Sequence, residues 1–112
     1  MANSDVVRTA FDAYLRGDEA TARPLYADEF TFTSPQDDHI DREAFFDRCF
    51  PTASRVKRQE IRYLLDLDED NVFVLYEYEL AAGGRFHNTE VITVRHGRIT
   101  ETQVFFGGPP SS

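Results

Sequence analysis

Two polar residues stand on an otherwise apolar strand face. From Arg85 to Gly107 the chain alternates like two β-strands around a tight turn at His96-Gly97. A period of two puts Phe86, Asn88, Glu90, Ile92 and Val94 on one face. His87, Thr89, Val91, Thr93 and Arg95 take the other. A carboxylate on a core-facing strand is costly unless it meets a partner, water or a ligand. Glu90 is therefore the first candidate for acid–base work, with desolvation tuning its proton affinity. Two plainer readings stay open. Glu90 could sit at the wet mouth of a cavity, or Arg58 or Arg62 on a neighbouring strand could neutralise it. Asn88 could fix a ligand carbonyl or simply pair with Glu90.

Other chemistry-bearing residues are scattered. His39 follows the first strand in a polar loop, where it could overhang a pocket as a proton shuttle or lie exposed. Tyr14, Tyr63, Tyr76 and Tyr78 could aim hydroxyls at a ligand, or could be core aromatics with hydroxyls at the rim. Three histidines without paired spacing give no metal site. Cys49 beside Phe50 reads as a small buried hydrophobe rather than a nucleophile. Phosphate loop, dinucleotide fingerprint and nucleophile elbow are all missing, so no cofactor is expected.

The elements that must position these residues follow from periodicity and punctuation. Asn3 or Ser4 caps a helix from about Asp5 to Arg16, with an apolar stripe of Val6, Val7, Ala10, Phe11 and Tyr14. Gly17 closes it and Asp18 caps a shorter helix carrying Ala22, Leu25 and Tyr26, distorted or restarted at Pro24. Phe30 to Ser34 alternates as a short strand stopped by Pro35, and Gln36 to His39 form a loop. Asp41 caps a third helix from Arg42 to about Phe50, which Pro51 ends. The segment from Arg55 to Leu67 is an irregular strand. Val72 to Leu80 alternates strongly, with Val72, Val74, Tyr76, Tyr78 and Leu80 on one face. Gly83-Gly84 then turns the chain into Arg85. The order predicts an α+β fold, three N-terminal helices on a strongly curved, mostly antiparallel sheet that encloses a conical pocket. Parity bounds that pocket by Phe32, Phe45, Tyr76, Tyr78, Glu90, Ile92 and Val104, with His39 near the mouth. The opposite face would carry Phe73, Leu75, Val91 and Phe105 as an apolar patch, which predicts a homodimer formed sheet against sheet.

Composition sets the outer limits. With 112 residues, 41% of them hydrophobic and 13% aromatic, the chain can fill one core and form one domain, 1–107, followed by a disordered tail at 108–112. The net charge of -8 argues against nucleic acid and anionic membranes as partners. No apolar run approaches the ~20 residues of a membrane span, and no signal peptide opens the chain. A cytoplasmic location is the expectation. The single cysteine excludes an intramolecular disulfide.

Several segments together resemble one superfamily. They are Tyr14-Leu15-Arg16-Gly17-Asp18, Leu25-Tyr26-Ala27-Asp28-Glu29-Phe30, Ser34-Pro35, Arg42-Glu43-Ala44-Phe45 and Val104-Phe105-Phe106-Gly107. The chain resembles the nuclear transport factor 2-like superfamily, in its SnoaL-like and ketosteroid-isomerase-like branch, over residues 4 to 107. The resemblance implies a cystatin-like α+β fold, with Thr102, Val104 and Phe106 pointing inward. It also implies that Glu90 takes the place of the isomerases' hydrogen-bonding acid. Ser34 falls where those enzymes carry their aspartate base, and Ala10 where they carry an oxyanion tyrosine. Two of three positions depart, so steroid isomerisation by that mechanism is not expected. Two functions survive. One is acid–base chemistry by Glu90, assisted by His39 and a tyrosine, on a small apolar or carbonyl-bearing molecule. The other is a non-catalytic binding or dimerisation module.

Overall fold

The computed structural model describes residues 2–109. Helix α1, Asn3–Arg16, begins earlier than its polar residues suggested. The Ala2 N–H is taken by the Asp5 carboxylate at 3.1 Å, so Asn3 and Ser4 are released from capping. They tie the helix to the sheet instead: Ser4 donates twice to Asp66, and Asn3 donates to the carbonyls of Glu69 and Val94. Gly17, with φ 65°, closes the helix in the left-handed conformation that glycine adopts without a Cβ penalty. Asp18 caps the short α2, Glu19–Ala22, through the Thr21 N–H.

Pro24 then opens a 3-10 turn, Arg23–Leu25, and the chain leaves helix altogether at Tyr26. Strand β1 therefore runs Tyr26–Ser34, and Tyr26 belongs to it rather than to the second helix. The expected loop after it is strand β2, Asp37–Asp41, an edge strand paired only with β1. Its polar sequence hides it, because an edge strand has neither face fully buried. Asp41 caps α3, Arg42–Arg48, through the Ala44 N–H at 2.9 Å. A 3-10 segment, Phe50–Arg55, leads into β3, Val56–Asp66. Strands β4, Asn71–Leu80, β5, Arg85–Arg95, and β6, Arg98–Phe106, complete the sheet.

The six strands order as β2-β1-β6-β5-β4-β3. Every pairing is antiparallel except β1 with β6, which the intervening helices and strands make parallel. His96 and Gly97, both at positive φ, form the two-residue turn between β5 and β6, a geometry that matches the right-handed strand twist. The three helices lie on one face of the curved sheet. Their apolar residues Val6, Val7, Ala10, Phe45 and Phe46 meet Val72, Val74, Ile92, Val94 and Ile99 from the strands. At the end of the last strand the Gly107 N–H donates to the His87 carbonyl and the His87 N–H donates to that of Gly108, the first residue of the expected tail, both at 2.9 Å. A side chain at Gly107 would collide with the His87 ring. The last three positions of that tail, 110–112, lie outside the described residues.

Candidate functional site

The register fixes which way Glu90 points. It pairs with Val74 on β4 and Val104 on β6, while Asn88 pairs with Tyr76 and Phe106, and Ile92 with Val72 and Thr102. Val72, Val74 and Ile92 are buried under the helices, so Glu90 and Asn88 face inward with them. The pairing of Thr102, Val104 and Phe106 puts those three on the same face.

Inside, a directed chain of hydrogen bonds connects three side chains. Asn88 Nδ2 donates to Tyr76 Oη at 3.3 Å, and Tyr76 Oη donates to Glu90 Oε2 at 2.6 Å. Among the described residues no cation pairs with the carboxyl. Arg62 pairs with Glu77 and Arg58 with Glu79, and both glutamates lie on the outer face. Desolvation therefore dominates, and it raises the Glu90 pKa to about 7 against the pull of the Tyr76 hydrogen bond. The phenols respond in turn. Burial first, then the Glu90 charge, pushes Tyr76 well above the usual phenol range. Tyr14 and Tyr26 shift upward, by burial above all and by the same charge, so both phenols lie within electrostatic reach of Glu90.

Among the described residues, polar atoms on this inner side without a hydrogen bond include Glu90 Oε1, Asn88 Oδ1, Tyr26 Oη, Tyr78 Oη and Thr102 Oγ1. None is sealed from solvent-sized space, since among the described residues the one orphaned buried side-chain atom is Arg42 Nε. Tyr26, Asn88 and Thr102 are nevertheless buried residues, 5–8% exposed. Asn88 and Thr102 share the inner sheet face with Glu90, and Tyr26 packs in the core beneath the helices.

The remaining candidates divide. Phe45 and Ile92 are buried in the inner packing, and Phe32 lies against the Phe45 ring at 5.1 Å. Val104 is buried beside Glu90. Tyr78 is half-buried and stacks on Phe86 at 5.7 Å, at the hairpin end of the same face. Tyr14 is on this side, but its hydroxyl is engaged. Thr52 gives its single proton to the Cys49 carbonyl at 2.6 Å, so Tyr14 donates to Thr52 at 2.7 Å. Ser34 accepts from the Gln36 N–H in the turn after β1.

Two residues lie elsewhere. A register shift between Ile61 and Tyr63 puts Tyr63 opposite Leu75, on the outer face, where it is 61% exposed. It does not join Glu90, Asn88 and Tyr76 on the inner face. His39 is exposed on the edge strand, at φ 49°, with Nδ1 held by Asp38 at 2.6 Å. Cys49 is half-buried, and burial beside Asp37 pushes its thiol up to about 11, which keeps it protonated.

Sequence reasoning missed Tyr26 and Phe11. Phe11 meets Tyr76 edge-on at 5.2 Å and helps to hold its ring. Exposed Asp28 interrupts the alternation between Tyr26 and Phe30, so only Pro24 signals that Tyr26 has left the helix. Two surface clefts, of about 360 and 470 Å³, are lined by residues of the helical segments and include neither Glu90 nor Asn88.

Helices on one face of a bent sheet, with an acidic group at the base of the interior, define an α+β scaffold of the nuclear transport factor 2-like class. The SnoaL-like domain family matches residues 7–102, and the chain belongs to it. Among solved structures, a protein from Kribbella flavida superimposes with TM-score 0.84 at 20% identity, covering 91% of this chain and 84% of that one. A nuclear transport factor 2-like protein of unknown function from Cytophaga hutchinsonii gives 0.76 at 18%, covering 95% and 90%. A proposed polyketide cyclase from Xanthomonas campestris gives 0.71 at 17%, covering 94% and 90%. At such identities these likenesses show the shared fold alone. Among curated proteins, none matches the sequence. No helix among the described residues is long and apolar enough to cross a membrane.

Proposed function

We propose that the chain binds a small, apolar, carbonyl-bearing molecule and moves a proton on it without a cofactor. The observation that carries this reading is Glu90. It is an inward carboxyl that, among the described residues, meets no cation, with one oxygen held by Tyr76 and the other without a partner. A pKa of about 7 leaves it close to evenly divided between acid and base at neutral pH, the condition under which one group serves well in both directions. The ionised form takes a proton from the carbon next to the carbonyl, and the neutral form returns it at another position. That cycle is an isomerisation, and the same two steps serve cyclisation or dehydration. A proposed polyketide cyclase with this fold is in keeping with such chemistry.

The test is hydrogen–deuterium exchange next to the carbonyl of model ketones in heavy water, followed by NMR. The wild type should accelerate the exchange, and Glu90→Gln should lose at least about 100-fold of that acceleration. A wild type that leaves the exchange at the buffer rate removes the catalytic reading.

A second reading, association through the sheet, is favoured by a separate observation on the outer face. Tyr63, Leu75, Thr89 and Phe105 form one row across four strands, and Leu65, Phe73 and Val91 lie in the next. Leu65 and Phe105 are each 52% exposed. Apolar side chains laid in register across a sheet suit a second sheet laid on top of them. A homodimer of this kind is compatible with chemistry on the opposite face.

A further inference from the structure

We infer that Asn88 is a positioning residue whose side-chain amide turns over as Glu90 takes up a proton, so that the hydrogen bonds through Tyr76 run toward the carboxyl in one state and away from it in the other. The inference needs Glu90 to titrate within the fold and needs no reaction, so it stands apart from the catalytic reading.

Three observations carry it. The first is the geometry. Asn88 lies directly across from Tyr76 on β4, and Tyr76 Oη touches Asn88 Nδ2 at 3.3 Å and Glu90 Oε2 at 2.6 Å. A phenol has one proton to give, so that proton decides the direction of the whole chain. The second is that every member can play both parts. A phenol donates and accepts. A carboxyl accepts when ionised and donates when protonated. An amide carries a donor and an acceptor of nearly the same size on one carbon. The third is that the far end of the amide is not held. Asn88 Oδ1 has no hydrogen bond among the described residues, and its neighbour on the other strand, Phe106, has no polar side-chain atom. A half turn about Cβ–Cγ exchanges Oδ1 and Nδ2 and gives up one hydrogen bond among the described residues, the one to Tyr76.

The two states follow from donor and acceptor strength. With Glu90 ionised, Oε2 is the strong acceptor. Tyr76 gives it the phenol proton, and Asn88 Nδ2 fills the acceptor site of the phenol. When a proton from solvent adds to Oε2, two hydroxyl protons compete for one short contact, and the phenol proton must leave it. It turns toward Asn88, where it meets a donor unless the amide rotates. Rotation presents Oδ1, and the chain then runs from Glu90 to Tyr76 to Asn88. The alternative is a proton on Oε1, which has no partner among the described residues. That leaves the acid hydroxyl without a protein acceptor, a costly arrangement on a buried face. In the rotated state both hydroxyls are bonded. Phenol-to-carbonyl bonds are shorter than amide-to-phenol bonds, so the 3.3 Å contact should contract to about 2.8 Å.

Little else nearby changes charge. The titratable groups that sense Glu90 are the phenols of Tyr14 on α1, Tyr26 on β1 and Tyr76 on β4, and the Tyr78 ring lies 6.0 Å from that of Tyr76. Burial above all raises the first three above the ordinary phenol range, which keeps them protonated near neutral pH. On the same face β6 places Thr102 and Val104, and α3 places Phe45 and Phe46, none of which titrates. Glu90 titrates at about 7, so the amide has a proton to respond to.

The test is side-chain NMR of protein labelled with nitrogen-15 and carbon-13, at about pH 5 and about pH 9, on either side of the Glu90 midpoint. At the upper value the Asn88 amide protons should show Overhauser contacts to the Tyr76 ring. At the lower value these should be lost, with the same midpoint as the Glu90 Cδ titration. Neutron diffraction from deuterated crystals at both values places the deuterons directly. A deuteron on Glu90 Oε2 with Asn88 Oδ1 toward Tyr76 at the lower value supports the inference. Asn88 Nδ2 toward Tyr76 at both values, or a deuteron on Oε1, overturns it and leaves the catalytic reading intact. Asn88→Leu gives an independent readout. Each protonation state then loses one hydrogen bond, so the Glu90 midpoint should stay close to that of the wild type. A midpoint that climbs would mean that Asn88 only donates, and would overturn the turnover of the amide. A Glu90 carboxyl that does not titrate in this range overturns both readings. An amide that turns with pH in a protein that exchanges no ketone protons leaves this inference standing and removes the catalytic one.

Discussion

Tyr76 and Glu90 are diagonal neighbours on adjacent antiparallel strands, and the phenol donates to the carboxyl at 2.6 Å. Asn88 Nδ2 donates to the same phenol oxygen, and toward the ionised carboxylate Tyr76 is the donor. The bond favours the ionised carboxylate, yet desolvation outweighs it. Glu90 is thus poised by two opposed effects on one face of the sheet.

Removing the weaker effect should expose the stronger. Tyr76→Phe keeps the ring and its edge-on contact with Phe11 but deletes the donor. The Glu90 pKa should then rise above about 7. Folding stability should fall by about 1–2 kcal/mol, the cost of losing one buried hydrogen bond. Carbon-13 titration of the Glu90 carboxyl measures the first, and urea unfolding the second. A pKa that falls in this variant would mean that Tyr76 acts on Glu90 by something other than donation.

The raised pKa is also a statement about stability. Glu90 titrates at about 7 when folded, against 4.5 for the model group. Below the unfolded value both states hold the proton and nothing is lost. As pH climbs from the unfolded value to the folded one, the unfolded chain gives up a proton that the native state holds, and stability declines by about 3 kcal/mol, levelling off once the native state ionises too. Glu90→Gln removes the titration and can still accept from Tyr76. It should be more stable than wild type at pH 8 and should lose that advantage near pH 4. Melting temperatures of both proteins across that range provide the check. A glutamine variant less stable at pH 8 would mark Glu90 as a paired structural carboxylate.

What the sequence disclosed depended on how regular each strand is. Glu90 was legible because β4 and β5 pair without a register shift from Asn71 to Glu79, so parity carries from one end to the other. Tyr63 was not, because β3 shifts register just before it, and one extra residue turns the following side chains over. Tyr26 was hidden by its neighbours. Ala22, Leu25 and Tyr26 continue a helical stripe, and only Pro24 hints that the helix is finished. The β2 strand escaped notice for want of any apolar alternation in Asp37-Asp38-His39. The free hydroxyl of Tyr26 is a tertiary fact that no local pattern encodes.

The outer face makes a separate prediction. The wild type should scatter light as a homodimer, twice 12.9 kDa, at tens of micromolar. Leu75→Arg places a charge in the middle of the row between Tyr63 and Thr89 and should return the mass to that of one chain. A monomeric wild type at those concentrations rejects the sheet-against-sheet dimer.

The last prediction tests whether dryness sets the Glu90 pKa. Val74 is fully buried and lies directly across from Glu90, on the same face. Directly opposed residues on antiparallel strands bring their Cβ atoms to about 5 Å, so Val74 is part of the apolar wall of the carboxyl. Val74→Ala removes two methyl groups and should cost about 2 kcal/mol, as lost transfer energy plus the space left behind. Because that space adjoins a carboxyl, it can take in water, which apolar voids of the same size do not. Hydration relieves the desolvation that raises the pKa, so Glu90 should titrate below about 7 in this variant. Urea unfolding and carbon-13 titration on one labelled sample separate the two effects. Loss of stability with an unchanged or higher pKa would show that desolvation at this wall is not what holds the proton on Glu90.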